Sequence, residues 1–175
     1  MRQLKFYIDR WMSSEAALAE HSVALDALAA DVSGKTIALV GNARSLLQAK
    51  HGKRIDEADI VIRINSAPTS NPESHGRRTD WHALAIRNSR ELRCRVDPKR
   101  VLWMSHKRRR LDWRTAAAEG FYLFPLKDFH TLSRDLGARP STGVLLTYLL
   151  ARLPADRIEL FGFDFFASLS MTGSR

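Results

Sequence analysis

Three short polar segments of this chain contain the residue types that proteins use to hold phosphates and nucleotides. Gly41-Asn42 and Asn65 each follow an apolar run, and Ser141-Thr142-Gly143 precedes one at residues 144–153. An asparagine amide both donates and accepts hydrogen bonds. A helix start offers unpaired N–H groups and a partial positive charge to an anion. Each segment would equally serve as an ordinary turn or helix cap, and that alternative stays open here.

Asp80 and His82 are the residues that could transfer a proton. They are two apart, so on a strand they would share a face, and an Asp–His pair can act as a general base. The preceding Arg77 and Arg78 could pair with a carboxylate or a phosphate. The alternative is a surface loop that leads into a strand. His82 with Asp80 is therefore the candidate base that the sequence offers, and the identity of the base is otherwise unknown.

The formal net charge of +9 favours an anionic partner. The densest basic run is Lys107, Arg108, Arg109 and Arg110. It is either a solvated loop or a peripheral contact with an anionic membrane. As a nucleic-acid site it is short and lacks interleaved aromatic residues, so no nucleic acid is expected. A basic nucleic-acid-binding protein is kept as a further alternative.

Several other classes of site lack their sequence signals. There is no P-loop or G-x-G-x-x-G pattern, no His/Cys ligand spacing and no G-x-S-x-G turn. We therefore expect no metal site. Cys94 is the only cysteine, which excludes an internal disulfide and favours a cytoplasmic location. The N-terminal residues do not form a signal peptide, and no apolar run is long enough to cross a bilayer.

Predicted strands and helices alternate along the chain, and the strand segments are nearly continuous apolar runs. This pattern is typical of a parallel α/β sheet covered on both faces. The predicted strands are residues 36–40, 60–64, 81–86, 101–104, 121–124 and 158–163, and the predicted helices are 11–31, with Ser13 or Ser14 as N-cap, 44–49, 111–119 and 144–153. Ligands bind such sheets at the carboxyl ends of the strands. We therefore expect Gly41, Asn65, Gly162 and the turn before residue 144 to line one crevice.

Taken together, these segments resemble glycosyltransferase family 29, the sialyltransferases. The large motif of the family resembles residues 37–42, Gly52, 55–56, Asp59, 61–68 and 76–79, and its small motif resembles 140–143 through 161–163. The two motifs occur in the family's order with matching internal spacing. They divide a single glycosyltransferase-like domain, residues 1–175, into an N-terminal helical segment (1–35), a large-motif region (36–82) and a small-motif region (139–164).

The resemblance implies a Rossmann-like, GT-A-type fold with a largely parallel sheet flanked by helices. It implies transfer of an acidic sugar, sialic acid or a Kdo-like sugar, from a CMP donor to a glycan or glycolipid acceptor. The reaction would invert the anomeric centre without a metal or cofactor. The residues that match the family's donor-binding positions are Gly41, Asn42, Asn65, Ser141, Thr142, Gly143 and Gly162. On that basis Asn65→Ala is expected to weaken CMP binding and to leave the fold intact.

Three departures from the family shape the prediction. Ile37 replaces the first cysteine of the disulfide found in animal members, and Pro154 or Ala155 replaces the second, which indicates a cytoplasmic, bacterial-type member. Ala43-Arg44 replaces a small polar pair. The family's later motifs, including a His-x-x-x-x-Glu segment whose histidine is the base, find no match before Arg175. A catalytically inactive or truncated CMP-binding module is therefore the main alternative to an active enzyme.

Overall fold

The computed structural model describes residues 2–163, and its centre is a six-stranded parallel sheet. In chain order the strands are β1 (Thr36–Val40), β2 (Ile60–Ile64), β3 (Trp81–Leu84), β4 (Arg100–Trp103), β5 (Tyr122–Leu123) and β6 (Arg157–Phe161). Their order across the sheet is β5-β4-β3-β2-β1-β6, with every pairing parallel. The predicted α/β class and all six predicted strands are confirmed.

Helices connect the strands and cover both faces of the sheet. They are α1 (Arg2–Trp11), α2 (Glu15–Ala19), α3 (Leu25–Val32), α4 (Gly52–Asp56), α5 (Pro72–His75), α6 (Arg90–Arg95), α7 (Trp113–Ala116), α8 (Leu126–Asp135) and α9 (Thr142–Leu150). Two 3₁₀ helices, Arg44–Gln48 and Arg108–Arg110, complete the described elements. Alternate residues of the strands point into separate apolar clusters, so neither face of the sheet is left to solvent.

The N-terminal helical segment differs from its prediction. The single helix expected over residues 11–31 is two helices, α2 and α3, because polar residues Glu20–Ser22 interrupt the apolar pattern. Ser14 is the N-cap, since its side chain accepts a hydrogen bond from Ala17 N. Gly34, with φ of +67°, follows the end of α3 as expected. The helix α1 was not predicted.

The last strand, β6, was predicted as a buried strand and is instead an edge strand of the described sheet. Among the strands of residues 2–163 it pairs with β1 alone, and Leu160 is about half exposed. Only Phe161 of β6 is fully buried. The apolar sequence of β6 is therefore not evidence of burial on both faces.

The strand order reverses between β1 and β6, because the chain continues from β1 to β2 on one side and returns to β6 on the other. Loops that leave neighbouring strands in opposite directions open a crevice at the carboxyl edge of the sheet, where ligands bind in α/β folds. The turn that opens α9 lies at the same edge. This topology positions the candidate site.

Candidate functional site

A cleft of about 920 Å³ lies at the carboxyl edge of the sheet, between the ends of β1, β2 and β6 and the start of α9. All seven residues predicted to hold the donor line this cleft: Gly41, Asn42, Asn65, Ser141, Thr142, Gly143 and Gly162. They come from two regions far apart in the sequence. The predicted convergence on one crevice is therefore confirmed.

Gly41 and Gly162 let the chain cross itself at the floor of the cleft. Gly41 N donates to Phe161 O at 2.7 Å, and Ala43 N donates to Gly162 O at 3.1 Å. A Cβ atom on Gly41 would lie 2.4 Å from Gly162 O, and Gly162 itself has a φ of +68°. Both glycines are therefore required by the backbone, whatever ligand occupies the cleft.

Asn42 contributes an acceptor that the protein itself does not use. Its Nδ2 donates to Ile64 O at 3.3 Å, which fixes the side chain against the end of β2. Its Oδ1 is buried and has no hydrogen-bond partner among residues 2–163. A buried acceptor without a partner costs roughly 1–3 kcal/mol. A ligand that donates an N–H or O–H group to Asn42 would remove this cost.

Asn65 connects three elements of the site. Its Oδ1 accepts a hydrogen bond from Ala85 N at 2.9 Å, just after β3, and its Nδ2 lies 3.4 Å from Thr142 Oγ1 at the start of α9. Its backbone is left-handed, with φ of 49°, a conformation that asparagine tolerates better than most residues. The Asn65 amide therefore lines the cleft and also connects the end of β3 to the start of α9.

The start of α9 has an N-cap but leaves two backbone N–H groups available to a ligand. Ser141 Oγ accepts a hydrogen bond from Val144 N at 3.3 Å, so Ser141 is the N-cap of α9. The N–H groups of Thr142 and Gly143 have no partner in the part of the chain that the structure describes. These two donors and the helix dipole favour an anion in the cleft. A Cβ on Gly143 would lie 2.6 Å from Phe163 Cε1, so a larger residue at position 143 would displace the Phe163 ring.

Four basic side chains line the cleft as well: His106, Lys107, Arg110 and Arg139. Burial lowers the pKa of His106, and the charges of Arg139 and Lys107 lower it further. The cluster is therefore a region of positive potential. His106 and Arg139 were not predicted from the sequence as site residues, although Arg139 directly precedes the small motif and His106 directly precedes the basic run.

His82 lies in the core and not on the cleft surface. It is 1% exposed, and its Nε2 lies 2.7 Å from Asn65 O. Burial lowers its pKa to about 4, so the ring is neutral and its Nε2–H donates to that carbonyl. Asp80 is occupied elsewhere, since its Oδ2 accepts from Val61 N and Arg78 Nη2. The structure thus gives His82 a positioning role, because its buried ring holds the backbone of Asn65, and does not support its prediction as the base.

The arginines that precede β3 also have internal partners. Arg78 donates through its guanidinium to the carbonyls of Asp56, Ala58 and Asp59, and its N–H donates to the Asp56 carboxylate. Arg63 of β2 is buried and donates to Arg78 O at 2.8 Å. Burial lowers the pKa of Arg63 to about 10. These contacts hold the large motif together, and the carboxylate with which Arg78 pairs is that of Asp80, at 2.8 Å.

The basic run does not act as one surface. Arg108 is 4% exposed and forms an ion pair with Glu15, so its predicted membrane contact is wrong. Lys107 and Arg110 line the cleft, and Arg109 is exposed. Among residues 2–163 there is no group of three or more His, Cys, Asp or Glu side chains that could hold a metal ion. No helix within the same residues has the length and apolar character to cross a membrane.

Comparison with known proteins identifies the family. The sequence profile of glycosyltransferase family 29 (sialyltransferase) matches residues 14–120, which is more than half of the chain. The chain is 27% identical to CMP-N-acetylneuraminate-beta-galactosamide-alpha-2,3-sialyltransferase 1 of Sus scrofa, over 75% of this chain and 45% of that protein. It is 32% identical to the Pan troglodytes protein of the same name, over 72% of this chain and 43% of that one. It therefore spans less than half the length of these curated relatives.

Solved structures show the same fold. A mammalian sialyltransferase crystal structure is similar with a TM-score of 0.63 at 20% identity, covering 99% of this chain and 73% of that one. A mammalian sialyltransferase in complex with Gal-beta-1-3GalNAc-ortho-nitrophenol is similar with a TM-score of 0.60 at 19% identity, covering 99% and 74%. The parallel sheet and its flanking helices are thus the GT-A-like architecture of these enzymes, and the chain belongs to glycosyltransferase family 29, the sialyltransferases.

Proposed function

We propose that this chain binds a CMP-activated acidic sugar in the cleft and transfers the sugar to a saccharide acceptor. One observation carries the proposal: the residues predicted to bind the donor, from both family motifs, line a single cleft that basic side chains also line. Sialic acid is the first choice of sugar, because the curated relatives carry CMP-N-acetylneuraminate in their names. A Kdo-like sugar is the alternative of the same chemical class.

The described residues suit the donor half of the reaction. The N–H groups of Thr142 and Gly143 and the dipole of α9 favour the donor phosphate, and they would stabilise the negative charge that develops on departing CMP. The unpartnered Oδ1 of Asn42 suits a hydroxyl or amino group of the nucleoside. The donor carries two negative charges, on its phosphate and its carboxylate, which the basic cluster can balance.

We further propose a direct displacement in which an acceptor hydroxyl attacks the anomeric carbon as CMP leaves, with inversion and without a metal. Fixed N–H groups and cations would supply the electrostatic stabilisation that a metal ion provides in other transferases. We assign no general base among the described residues, because His82 is buried. The first acceptor to test is a beta-galactoside, since the similar crystal structure contains Gal-beta-1-3GalNAc-ortho-nitrophenol.

Calorimetric titration with CMP tests the donor site. Asn42→Asp keeps the side-chain size and adds a negative charge to the cleft that would hold the negatively charged CMP, so we expect CMP affinity to fall about tenfold or more. Asn71→Asp is the matched control. It makes the same chemical change, Asn71 does not line the cleft, and aspartate also serves as an N-cap for α5. Equal CMP affinity for the two variants would count against the proposed site.

Turnover separates an enzyme from a binding module. The protein is incubated with CMP-sialic acid or CMP-Kdo and the beta-galactoside, and released CMP is measured together with the glycosylated product. CMP binding without product from either donor would support the non-catalytic alternative. Salt-sensitive binding of an oligonucleotide with no CMP binding would support the nucleic-acid alternative.

A further inference from the structure

The cleft continues past the residues assigned to the donor. Gly41 and Asn65 follow β1 and β2, whereas Lys107 follows β4, and all three line the cleft. The sheet order places β4 two strands beyond β2, and strands lie about 4.8 Å apart, so the cleft extends about 10 Å past the end of β2. Ala85 and Ile86, which follow β3, line the stretch between. The β4 end of the cleft is therefore open to a second ligand beside the donor.

The bound donor would extend its sugar toward that end. Under the proposed function, Asn42 after β1 contacts the nucleoside, and the N–H groups of Thr142 and Gly143 hold the phosphate. Thr142 Oγ1 lies 3.4 Å from Asn65 Nδ2, which places the start of α9 beside the end of β2. The nucleoside and the phosphate thus run from β1 to β2, and the sugar, which is bonded to the phosphate, continues toward β3. An acceptor that attacks the anomeric carbon then lies at the β4 end.

The cleft carries more positive charge than the donor neutralises. Lys107, Arg110 and Arg139 line it, no aspartate or glutamate of residues 2–163 does, and none of the three cations forms an ion pair within those residues. Burial lowers the pKa of His106, and the charges of Arg139 and Lys107 lower it further, so both cations act on the same part of the cleft. The donor brings two negative charges, one of them to the N–H groups of α9. A cleft with the donor bound therefore stays positive at its β4 end.

The loop that carries two of these cations is fixed by its own contacts. Arg108, between Lys107 and Arg110, is buried, pairs with Glu15 and donates to Ser105 O at 2.7 Å. Lys107 N donates to Ser105 Oγ at 3.1 Å, and Arg110 N donates to Lys107 O at 3.0 Å. The cations on either side of Arg108 are therefore held at the cleft before any ligand arrives, which lowers the entropy cost of binding one.

We propose that the acceptor saccharide carries an anionic group, a phosphate or a carboxylate, which Lys107 and Arg110 bind at the β4 end of the cleft. The position of this acceptor rests on the proposed function, since it follows from that of the CMP donor. The arginine can bind either anion through two parallel hydrogen bonds, and the lysine adds a point charge. A neutral saccharide would gain nothing from these charges, so the pair selects a charged acceptor over a neutral one.

Calorimetric titration of the CMP-saturated protein with matched beta-galactosides tests this selection. Lactosyl phosphate is compared with lactose, and lactobionate, which carries a carboxylate, is compared with lactitol. We expect the anionic member of at least one pair to bind about tenfold or more tightly than the neutral one. This preference should weaken as salt is added, because ions screen charges near a protein surface. The pair that shows the preference identifies the anionic group, and a preference in both pairs shows that either group is accepted.

Charge variants assign the preference to the two cations. Each variant is scored by the ratio of its affinities for the anionic and the neutral disaccharide, so that any change at the donor site cancels. Lys107→Gln with Arg110→Gln should lower this ratio about tenfold. The matched control is Lys99→Gln with Arg109→Gln, which removes the same charges from exposed residues that do not line the cleft. The control should keep the ratio of the parent protein.

Three results would overturn the anionic acceptor and leave the proposed donor site standing, because CMP still binds in each. The first is no preference for the anionic member of either pair. The second is an equal ratio for the Lys107→Gln, Arg110→Gln variant and its control. The third is displacement of lactosyl phosphate by CMP, which would place the anion in the donor site. A parent protein that does not bind CMP would overturn the proposed function and the anionic acceptor together.

Discussion

Asn65→Ala should destabilise the fold as well as the site. Alanine cannot accept the hydrogen bond from Ala85 N, and loss of a partner for this partly buried N–H costs roughly 1–3 kcal/mol. Alanine must also adopt the left-handed backbone of residue 65, which costs about 1 kcal/mol more than for asparagine. The free energy of unfolding should therefore fall by about 3 kcal/mol. The expectation from sequence, that the fold stays intact, neglected both contributions.

Two further variants at this position separate the contributions. Asn65→Gly loses the side-chain acceptor but adopts a φ of 49° without strain, so it should be about 1 kcal/mol more stable than Asn65→Ala. Asn65→Asp keeps an acceptor for Ala85 N and loses the donor to Thr142, so it should be the least destabilised of the three.

Urea denaturation followed by tryptophan fluorescence measures these differences by linear extrapolation. CMP titration of each variant is then done at a temperature where the variant is folded. The reasoning is refuted if the free energy of unfolding of Asn65→Ala lies within about 0.5 kcal/mol of that of the parent protein. It is also refuted if the glycine variant is no more stable than the alanine variant.

Two other residues give testable effects on stability. Burial lowers the pKa of His82 to about 4 in the folded state, so the unfolded chain binds more protons than the folded chain between about pH 6.5 and 4. The free energy of unfolding should therefore fall by up to about 3 kcal/mol as the pH decreases through that window. His82→Asn should reduce this dependence in urea titrations repeated across that pH range, and an unchanged slope would contradict it. Arg108→Gln removes the cationic partner of Glu15 and the donors to the carbonyls of Ser105 and Phe124, so the free energy of unfolding should fall by about 3 kcal/mol. For the exposed Arg109, Arg109→Gln should change it by no more than about 0.5 kcal/mol, and similar values for the two variants would show that the contacts of Arg108 are unimportant.

The strands and the donor-site residues could be predicted because they depend on local pattern. An apolar run of five residues is shorter than a typical helix, so in a chain whose strands and helices alternate it predicts a buried strand. Glycine and asparagine after such runs mark the carboxyl ends, and parallel strands bring those ends together. The predicted position of Gly41, Asn42 and Gly162 in one crevice follows from these facts alone.

The sequence-based predictions that differ from the structure concern which residues are buried and which groups they contact. The apolar sequence of β6 predicted a buried strand, but strand order alone decides which strand lies at an edge. His82 and Arg108 have the sequence features of functional surface residues, yet each is buried against a backbone carbonyl or a carboxylate from a distant element. A polar side chain gives no local sign that a partner far along the chain will bury it. The cytoplasmic location, the bacterial type and the absence of a metal stay predictions.

The sequence by itself determined the α/β class, the family and the small set of residues that can surround a nucleotide, because these follow from periodicity, turn chemistry and two spaced motifs. Only the tertiary structure decided which polar groups stay available to a ligand. Asn42 Oδ1 and the first N–H groups of α9 have no partner in the described residues, whereas the amide of Asn65 is shared with Ala85 and Thr142. The physical reason is that hydrogen-bond satisfaction and burial are properties of contacts between distant segments, which no local pattern contains.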